Sequence, residues 1–321
     1  MQEAFLSCDW GTSAFRLRLI DVQSGNILAE SSNTQGIGVV YTAWKKSGNN
    51  DSERIDFYLA VINKAVKAIE KSIGATTDNI PIIISGMASS TIGMIELPYA
   101  KLPFSLNGND LQYIKTERTD SFLHELIIIS GACTYNDVMR GEETQLIGCS
   151  DGQTGGKHFF IFPGTHSKHV LVVDGKATQL RTHMTGEFFE LLSKKSILAD
   201  SIAAGGAIED AGNKAAFEKG VAECWQENLL NSCFMVRTNQ LFNRYSKTEN
   251  YFYLSGLLIG AEIRELINNK ITTITIAGND KLALNYILAL KLFRIESGIT
   301  IIDASTATIK GQMIIYKRVY S

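Results

Sequence analysis

Charge of one sign is missing from this sequence. Its 321 residues hold 31 Lys and Arg against 33 Asp and Glu, a formal net charge of −2, and the pI is about 6.2. Nucleic-acid and anionic-membrane binders usually carry a basic excess or stripe, so no nucleic acid and no membrane is expected as partner. A substrate anion held by a few local Arg or Lys would not show in the balance. Cysteine is sparse and unpaired: Cys8, Cys133, Cys149, Cys224 and Cys233 are odd in number, scattered, and include no C-x-x-C. That argues against a disulfide framework or zinc knuckle and for reduced thiols in a cytosol. The opening AFLSCDW lacks the basic and apolar regions of a signal peptide, and no apolar run approaches the roughly 18–20 residues of a membrane span. Segments such as LIIISGA and ITTITIAG have buried-strand length. What is present, 45% hydrophobic and 20% charged residues, is the composition of a globular protein. The length suffices for two domains with cores of their own. A cytoplasmic protein acting on small molecules is the expectation.

The chain opens as a strand meander, AFLSCDW, AFRLRLIDV and NILAESSN, joined by GTS and QSGN. Alternation and turn residues there fit antiparallel hairpins. A helix follows, capped by Asp51 or Ser52, with Ile55, Tyr58, Leu59, Ile62, Val66, Ile69 and Ile73 at helical spacing and Gly74 at its end. The strand IPIIIS, the loop GMASSTIG, the strand ELIIISG and the loop-to-helix segment DVMRGEETQLIGC complete the first half. The second half begins alike: strand HFFIFP, turn GTHS, strand KHVLVVD, turn GK, strand ATQLRTHMT. Helices are predicted over EFFELLSKKSIL, about 212–230, 235–245 and 251–268, then strand ITTITIAG, helix NDKLALNYILALKLF, strand GITIIDA and a helix over about 305–317. A strand–Gly-Thr turn–strand unit thus occurs twice, near residue 4 and near residue 158. It is a structural echo of the kind an internal duplication leaves, although glycine-turn hairpins are common. The polar, Gly-rich stretch 149–157 is the expected crossing between two domains, 1–152 and 153–321.

The turns carry the chemistry. In DWGTSAFR a strand ends in Asp9, and Gly11, Thr12 and Ser13 make a tight turn whose backbone can approach a bulky anion while amides and hydroxyls donate to it. Asp9 beside such a turn suits Mg²⁺, which takes few carboxylates and keeps phosphate oxygens and water. In FPGTHSKHV, Gly164, Thr165, His166 and Ser167 repeat the arrangement and Lys168 adds a cation. Two such turns would clamp a triphosphate from both sides, as phosphoryl transfer requires. An ordinary polar hairpin turn is the alternative for each.

The paired turns resemble the two phosphate loops of the actin, Hsp70 and sugar-kinase superfamily, and TIAGNDKLALNYILAL resembles its adenosine motif, with Gly278 and Asn279 beside the nucleoside. Together DWGTSAFR, GMASSTIGMIELPY, DVMRGEETQLIG, FPGTHSKHV, THMTGEFFELLSKKSIL and YLSGLLIGAEIREL resemble the 2-keto-3-deoxygalactonate kinases, from the first strand to at least residue 280. The resemblance implies an α/β fold of two ribonuclease-H-like, actin-like ATPase domains, each a mixed five-stranded sheet flanked by helices, around an interdomain cleft. It also implies ATP-dependent phosphorylation of the terminal hydroxyl of a six-carbon keto-deoxy sugar acid, with ATP and Mg²⁺ as cofactors and a homodimer left open.

Such a kinase needs a carboxylate base. Glu142, Glu143 and Glu187 are candidates, Glu142 foremost because it enters a helix from a loop; a helix N-terminal acid favoured by the macrodipole is the alternative. Many sugar kinases carry an aspartate base near the second phosphate loop, where this chain has Pro-Gly-Thr-His-Ser-Lys. For the substrate carboxylate, Arg140 lies in the same loop, with Arg16, Lys168 and Arg181 as alternatives, and Ser89 and Ser90 offer hydroxyls to the sugar. Glu143 and Glu187 are further substrate-binding candidates. Other patterns are rejected. GQTGGKH is one residue short of a Walker A loop and carries His158 where Ser or Thr would bind Mg²⁺. His166 and His169 lack further His or Cys ligands nearby in sequence, which argues against zinc. No G-x-S-x-G elbow occurs, and Gly256 and Gly260 read as close helix packing rather than a membrane dimer motif.

Overall fold

The computed structural model describes residues 3–48, 50, 53–150, 155–268, 273–295 and 298–320. The expected helix caps Asp51 and Ser52, and residues 151–154 of the expected crossing, lie outside them. The chain divides into two compact units, Met1–Gly155 with Val173–Leu180 and Ala304–Ser321, and Gly156–Val172 with Arg181–Asp303. The last helix therefore belongs with the first unit, whereas a single cut after residue 152 would give it to the second.

In the first unit, strands β1 (Ala4–Trp10), β2 (Phe15–Asp21) and β3 (Ile27–Asn33) form the meander. Helices α1 (Ile37–Ser47) and α2 (Arg54–Ile73) follow, then β4 (Ile82–Gly86). Short strands β5 (Ala100–Lys101), β6 (Phe104–Ser105) and β7 (Tyr113–Thr116) lead to β8 (Leu126–Ile129), β9 (Ala132–Cys133), β10 (Val138–Met139) and helix α3 (Glu142–Gly148). The main sheet runs β3-β2-β1-β4-β8-β7. It has one strand more than the expected five, because Tyr113–Thr116 pairs antiparallel with β8. Strands β1, β4 and β8 are parallel neighbours, and β4 and β8 are buried at every residue. Covering on both faces explains why IIISG and LIII are continuous apolar runs rather than alternating ones.

Helix α2 buries Tyr58, Ile62, Ala65, Val66 and Ile69 on one stripe and ends at Gly74, a left-handed cap at φ 67° whose N–H donates to Glu70 O. That is the expected amphipathic pattern, except that Ile55 and Ile73 at its ends are exposed. On α3 and the C-terminal helix Ala304–Tyr320, two glycines remove the bulk between backbones. A Cβ on Gly148 would stand 1.9 Å from Ala307 O, and one on Gly311 would stand 1.9 Å from Thr144 O. Gln312 of that helix donates to Cys8 O and Ser85 Oγ, both at 2.9 Å, tying it to β1 and β4.

The second unit holds β11 (Lys157–Phe162), β12 (Ser167–Val173) and β13 (Lys176–His183), then α4 (Thr185–Lys195), α5 (Ala211–Gln226), α6 (Leu229–Leu241) and α7 (Lys247–Ile263). Strand β14 (Thr273–Ala277), α8 (Asp280–Leu292) and β15 (Gly298–Ile302) follow. Its strands run β15-β14-β11-β12-β13, with β11, β14 and β15 parallel. The far end of the β12–β13 hairpin is counted with the first unit, where Lys176 and Ala177 pair with Ser105 and Phe104. Helix α7 starts with a capping box, in which Ser246 Oγ accepts from Glu249 N and Glu249 Oε2 accepts from Ser246 N. Its Gly256 lies so close to α5 that a Cβ would stand 2.2 Å from Phe217 O, so these glycines serve helix packing inside the unit.

Candidate active site

In the first unit, β1 and β2 are in register with Asp9 opposite Arg16, and Arg16 Nη1 lies 3.3 Å from Asp9 Oδ2. Burial pushes the Asp9 carboxyl above its ordinary value, with Arg16 and Arg18 pulling the other way. The turn closes through Gly11 N, which donates to Ala14 O at 3.0 Å, leaving Thr12 and Ser13 exposed. Helix α1 begins directly against it. Ile37 N donates to Gly11 O at 2.9 Å and Gly38 N to Thr12 O at 3.0 Å, while a Cβ on Gly36 would sit 2.3 Å from Thr12 O. The Gly-Thr turn is thus backed by a helix N-terminus, whose dipole favours negative charge.

Three backbones converge beside Asp9. Gly86, at the end of β4 with φ 96°, would bring a Cβ within 2.6 Å of Trp10 O, and Gly141, with φ 108°, would bring one within 3.2 Å of Gly86 Cα. Neither position tolerates a side chain. This contact holds the loop of Arg140 and Glu142 against the strand end that carries Asp9. Arg140 Nη1 donates to Ser89 Oγ at 2.7 Å and to Ser89 O, and the guanidinium lies over the Tyr99 ring at 4.1 Å. Glu142 is half-buried, and its Oε2 accepts from Arg140 N at 3.0 Å.

Glu143 is placed differently from the substrate contact expected of it. It is fully buried, accepts from Gly141 N at 2.7 Å and from Thr144 Oγ1 at 3.0 Å, and therefore shapes the Gly141 corner from inside. Burial, then the neighbouring Glu142 charge, pushes its carboxyl up to about 8. Ser90 is also buried, with its hydroxyl donating to Met87 O at 2.7 Å, so it braces the loop instead of facing a sugar. A carboxyl raised in the folded state binds more protons there than in the unfolded chain. Its contribution to stability is present below the ordinary carboxylate pKa and is lost as pH rises toward about 8. Glu143→Gln keeps one acceptor for Gly141 N and presents a donor to Thr144 Oγ. Urea denaturation across that range should give a flatter stability profile for the variant than for the parent, and an unchanged slope would contradict the assignment.

The second unit repeats the design. Gly164, Thr165 and His166 are exposed at the β11–β12 turn, and α4 abuts it: Glu187 N donates to Thr165 O at 3.0 Å, and a Cβ on Gly186 would stand 2.4 Å from Gly164 O. His166 Nε2 and Glu187 Oε2 are 2.6 Å apart, so Glu187 is bound to the Gly-Thr turn itself. Lys168 is buried, its Nζ donating to Thr182 Oγ1 at 3.0 Å, with no carboxylate within ion-pair distance among the described residues. Ser167, expected to offer its hydroxyl to nucleotide, is instead fully buried and donates to Glu262 Oε1 at 2.6 Å. Glu262 is a hub that sequence reasoning missed. It also meets His169 Nε2 at 2.7 Å, Tyr286 OH at 2.8 Å and Thr185 Oγ1. Burial opposes the charge on both partners, yet their pairing lowers the Glu262 carboxyl and, with Glu265, raises the His169 imidazole. An acid in the apolar run LLIGAEI was the available signal.

Gly186→Ala should displace α4 from the turn, since an overpacked contact typically costs about 1–3 kcal/mol. A raised KM for ATP together with a lowered melting temperature is expected; a variant unchanged in both would contradict the close contact.

A cavity of about 420 Å³ opens beside the expected adenosine motif, lined among others by Gly205, Gly206, Tyr251, Asn279, Lys281 and Asn285. The Asn279 side chain caps α8, accepting from Leu282 N at 2.9 Å, and its amide nitrogen is a donor for a ligand. Gly278, expected beside the nucleoside, is not among the residues that line this cavity; its N–H donates to Ile302 O at 3.0 Å. The Gly205–Gly206 pair is a part of this pocket that the sequence reading did not single out.

The sequence pattern of the 2-keto-3-deoxy-galactonokinase family matches residues 9–315. The chain belongs to this family. A relative from Rhizobium meliloti strain 1021 named as a probable 2-dehydro-3-deoxygalactonokinase is 32% identical over 265 residues, 81% of this chain and 79% of the relative. The 2-dehydro-3-deoxygalactonokinase of Escherichia coli K12 is 32% identical over 192 residues, 58% of this chain and 61% of that protein. A solved Sinorhizobium meliloti structure assigned to the 2-dehydro-3-deoxygalactonokinases superposes with a TM-score of 0.79 at 27% identity, covering 98% of this chain and 97% of that one. The actin-like ATPase fold is shared more widely. The ADPNP-bound activator of 2-hydroxyisocaproyl-CoA dehydratase from Clostridium difficile superposes with a TM-score of 0.51 at 9% identity, over 99% of this chain and 96% of that one. The family match begins at Asp9 itself.

Proposed function

We propose that this kinase transfers the γ-phosphoryl group of ATP to the terminal primary hydroxyl of 2-keto-3-deoxygalactonate. Family membership over residues 9–315 carries the reading, and the Asp9–Arg140–Glu142 corner supports it chemically. Glu142 takes the proton of the acceptor hydroxyl. As the new O–P bond forms, the bond between Pγ and the bridging oxygen breaks and ADP leaves. The Arg140 guanidinium donates to Ser89 through Nη1, and the other edge of its fork suits the sugar-acid carboxylate. The exposed amides and hydroxyls at Thr12, Ser13, Gly164 and Thr165 hold phosphate oxygens.

Asp9 fits a Mg²⁺ ion: it is a hard oxygen donor, reachable from solvent, beside an amide-lined turn, and Mg²⁺ favours few carboxylates with retained water. When bound, that ion supplies positive charge to the β- and γ-phosphate oxygens. Asp9 orients the metal side of the site, and Arg16 limits its negative charge when no cation is present. Among the described residues no helix is long and apolar enough to cross a membrane. All five cysteines are free, which supports the cytoplasm as compartment.

Product analysis tests the reading. Phosphorus NMR and mass spectrometry of a reaction with ATP and 2-keto-3-deoxygalactonate should show ADP and a sugar acid phosphorylated at its terminal carbon. Free phosphate without acceptor dependence would point to a hydrolase, and nucleotide binding without turnover to a regulator.

A further inference from the structure

His166 and His169, the pair that sequence spacing offers as metal ligands, part company in the structure. His166 faces Glu187, while His169 meets His183 at the end of β13 and Glu265 in the 3₁₀ turn Arg264–Asn268 after α7. One nitrogen from each histidine and one carboxylate oxygen lie within 4.8 Å of one another. His169 Nδ1 is 3.7 Å and His183 Nε2 3.5 Å from Glu265 Oε1. Zinc bonds of about 2.0–2.2 Å in a tetrahedron put ligand atoms roughly 3.3–3.5 Å apart; the two histidine–glutamate distances lie within a few tenths of an ångström of that, and the cluster as a whole contracts from its 4.8 Å span when an ion binds.

Two further observations point to a ligand there. His169 is only 2% exposed, and both His169 Nδ1 and His183 Nε2 are buried atoms without a hydrogen-bond partner. Leaving such nitrogens unfilled costs free energy. The other nitrogen of His169, Nε2, is held at 2.7 Å by Glu262. A carboxylate on the outer nitrogen is the usual support of a metal-binding histidine, fixing the tautomer that leaves the inner nitrogen with a lone pair. Arg181 takes Glu265 Oε2, and Oε1 is the carboxylate oxygen that approaches both histidines. His183 and Glu265 are partly exposed, which gives an ion entry and room for water as fourth ligand.

We propose that His169, His183 and Glu265 form a zinc-type divalent cation site, separate from the Mg²⁺ of phosphoryl transfer. Two imidazoles and one carboxylate suit zinc better than magnesium, which prefers an all-oxygen octahedron. The ion pins β12, β13 and the end of α7 together behind the second phosphate turn, because Glu262 bonds both His169 and Ser167. Its role is structural, and binding raises the stability of the folded chain by mass action.

The test uses the full chain stripped of metal with chelator, titrated with zinc chloride alone by calorimetry and with cobalt chloride by visible absorption. One ion per chain, a rise in melting temperature with zinc, and tetrahedral cobalt bands without thiolate charge transfer are expected. His183→Gln and Glu265→Gln, each folded by circular dichroism, should each weaken zinc binding by at least about tenfold, the usual scale for disturbing a metal site. Absence of stoichiometric binding to the parent, parental affinity in both variants, or a cobalt–thiolate band from the free cysteines would overturn the proposal.

Discussion

Asp9→Asn lowers kcat by roughly 10²–10³-fold, the scale on which loss of a preorganised charge-stabilising group is felt, while the protein remains folded. The substitution keeps the shape at the end of β1 and the hydrogen bond within reach of Arg16, but removes the anionic oxygen that suits Mg²⁺. The Mg²⁺ concentration for half-maximal rate should rise with the loss of turnover. Steady-state kinetics across a Mg²⁺ series, with circular dichroism to verify folding, checks both. A folded variant with near-parental turnover would remove Asp9 from the metal site. The internal setting strengthens the expectation, since burial already disfavours charge on Asp9 and a cation there would restore it.

Glu142→Gln is expected to cut kcat by about 10²–10⁴-fold, the range for losing a general base, with little change in the KM of the sugar acid. The amide oxygen of Gln can still accept from Arg140 N, so the entry to α3 keeps its form. Glu143→Gln is the matched control, because that side chain is buried behind Gly141 and should affect the pH profile of stability rather than the chemical step. Glu187→Gln, next to His166, should act on ATP binding. If either control loses turnover as Glu142→Gln does not, the base is assigned wrongly.

Both Gly-Thr turns were legible because their signals are local. Alternating strands, a Gly-Thr turn and Asp9 lie within a dozen residues, and the β1–β2 register follows from the turn. The support behind each turn was not. Nothing in the sequence announces α1, whose N-cap is Gly36 without a side-chain bond and whose buried residues are only Ile37, Val40 and Trp44. Gly36 and Gly186 look alike in sequence to any loop glycine, and only the tertiary contact shows that each lacks room for a methyl group.

Adjacent glutamates carry the same ambiguity. Glu142 and Glu143 share a composition and a helix turn, and the helix phase alone sends one toward solvent and the other into the core. Ser167 read as a phosphate donor because it follows Gly-Thr-His, yet strand alternation turns it inward to Glu262, 95 residues away. Long-range polar pairing of that kind has no periodic signature. The same holds for His169, His183 and Glu265, which come from three elements.

The central claim is acceptor-dependent phosphoryl transfer. Its most direct measurement is ADP release by the purified full chain with ATP and Mg²⁺, with and without 2-keto-3-deoxygalactonate, beside a panel of related sugars and sugar acids. Release that depends on 2-keto-3-deoxygalactonate, with kcat/KM higher than for the panel, is the predicted result; equal release with no acceptor present, or a clear preference for another sugar, would contradict it.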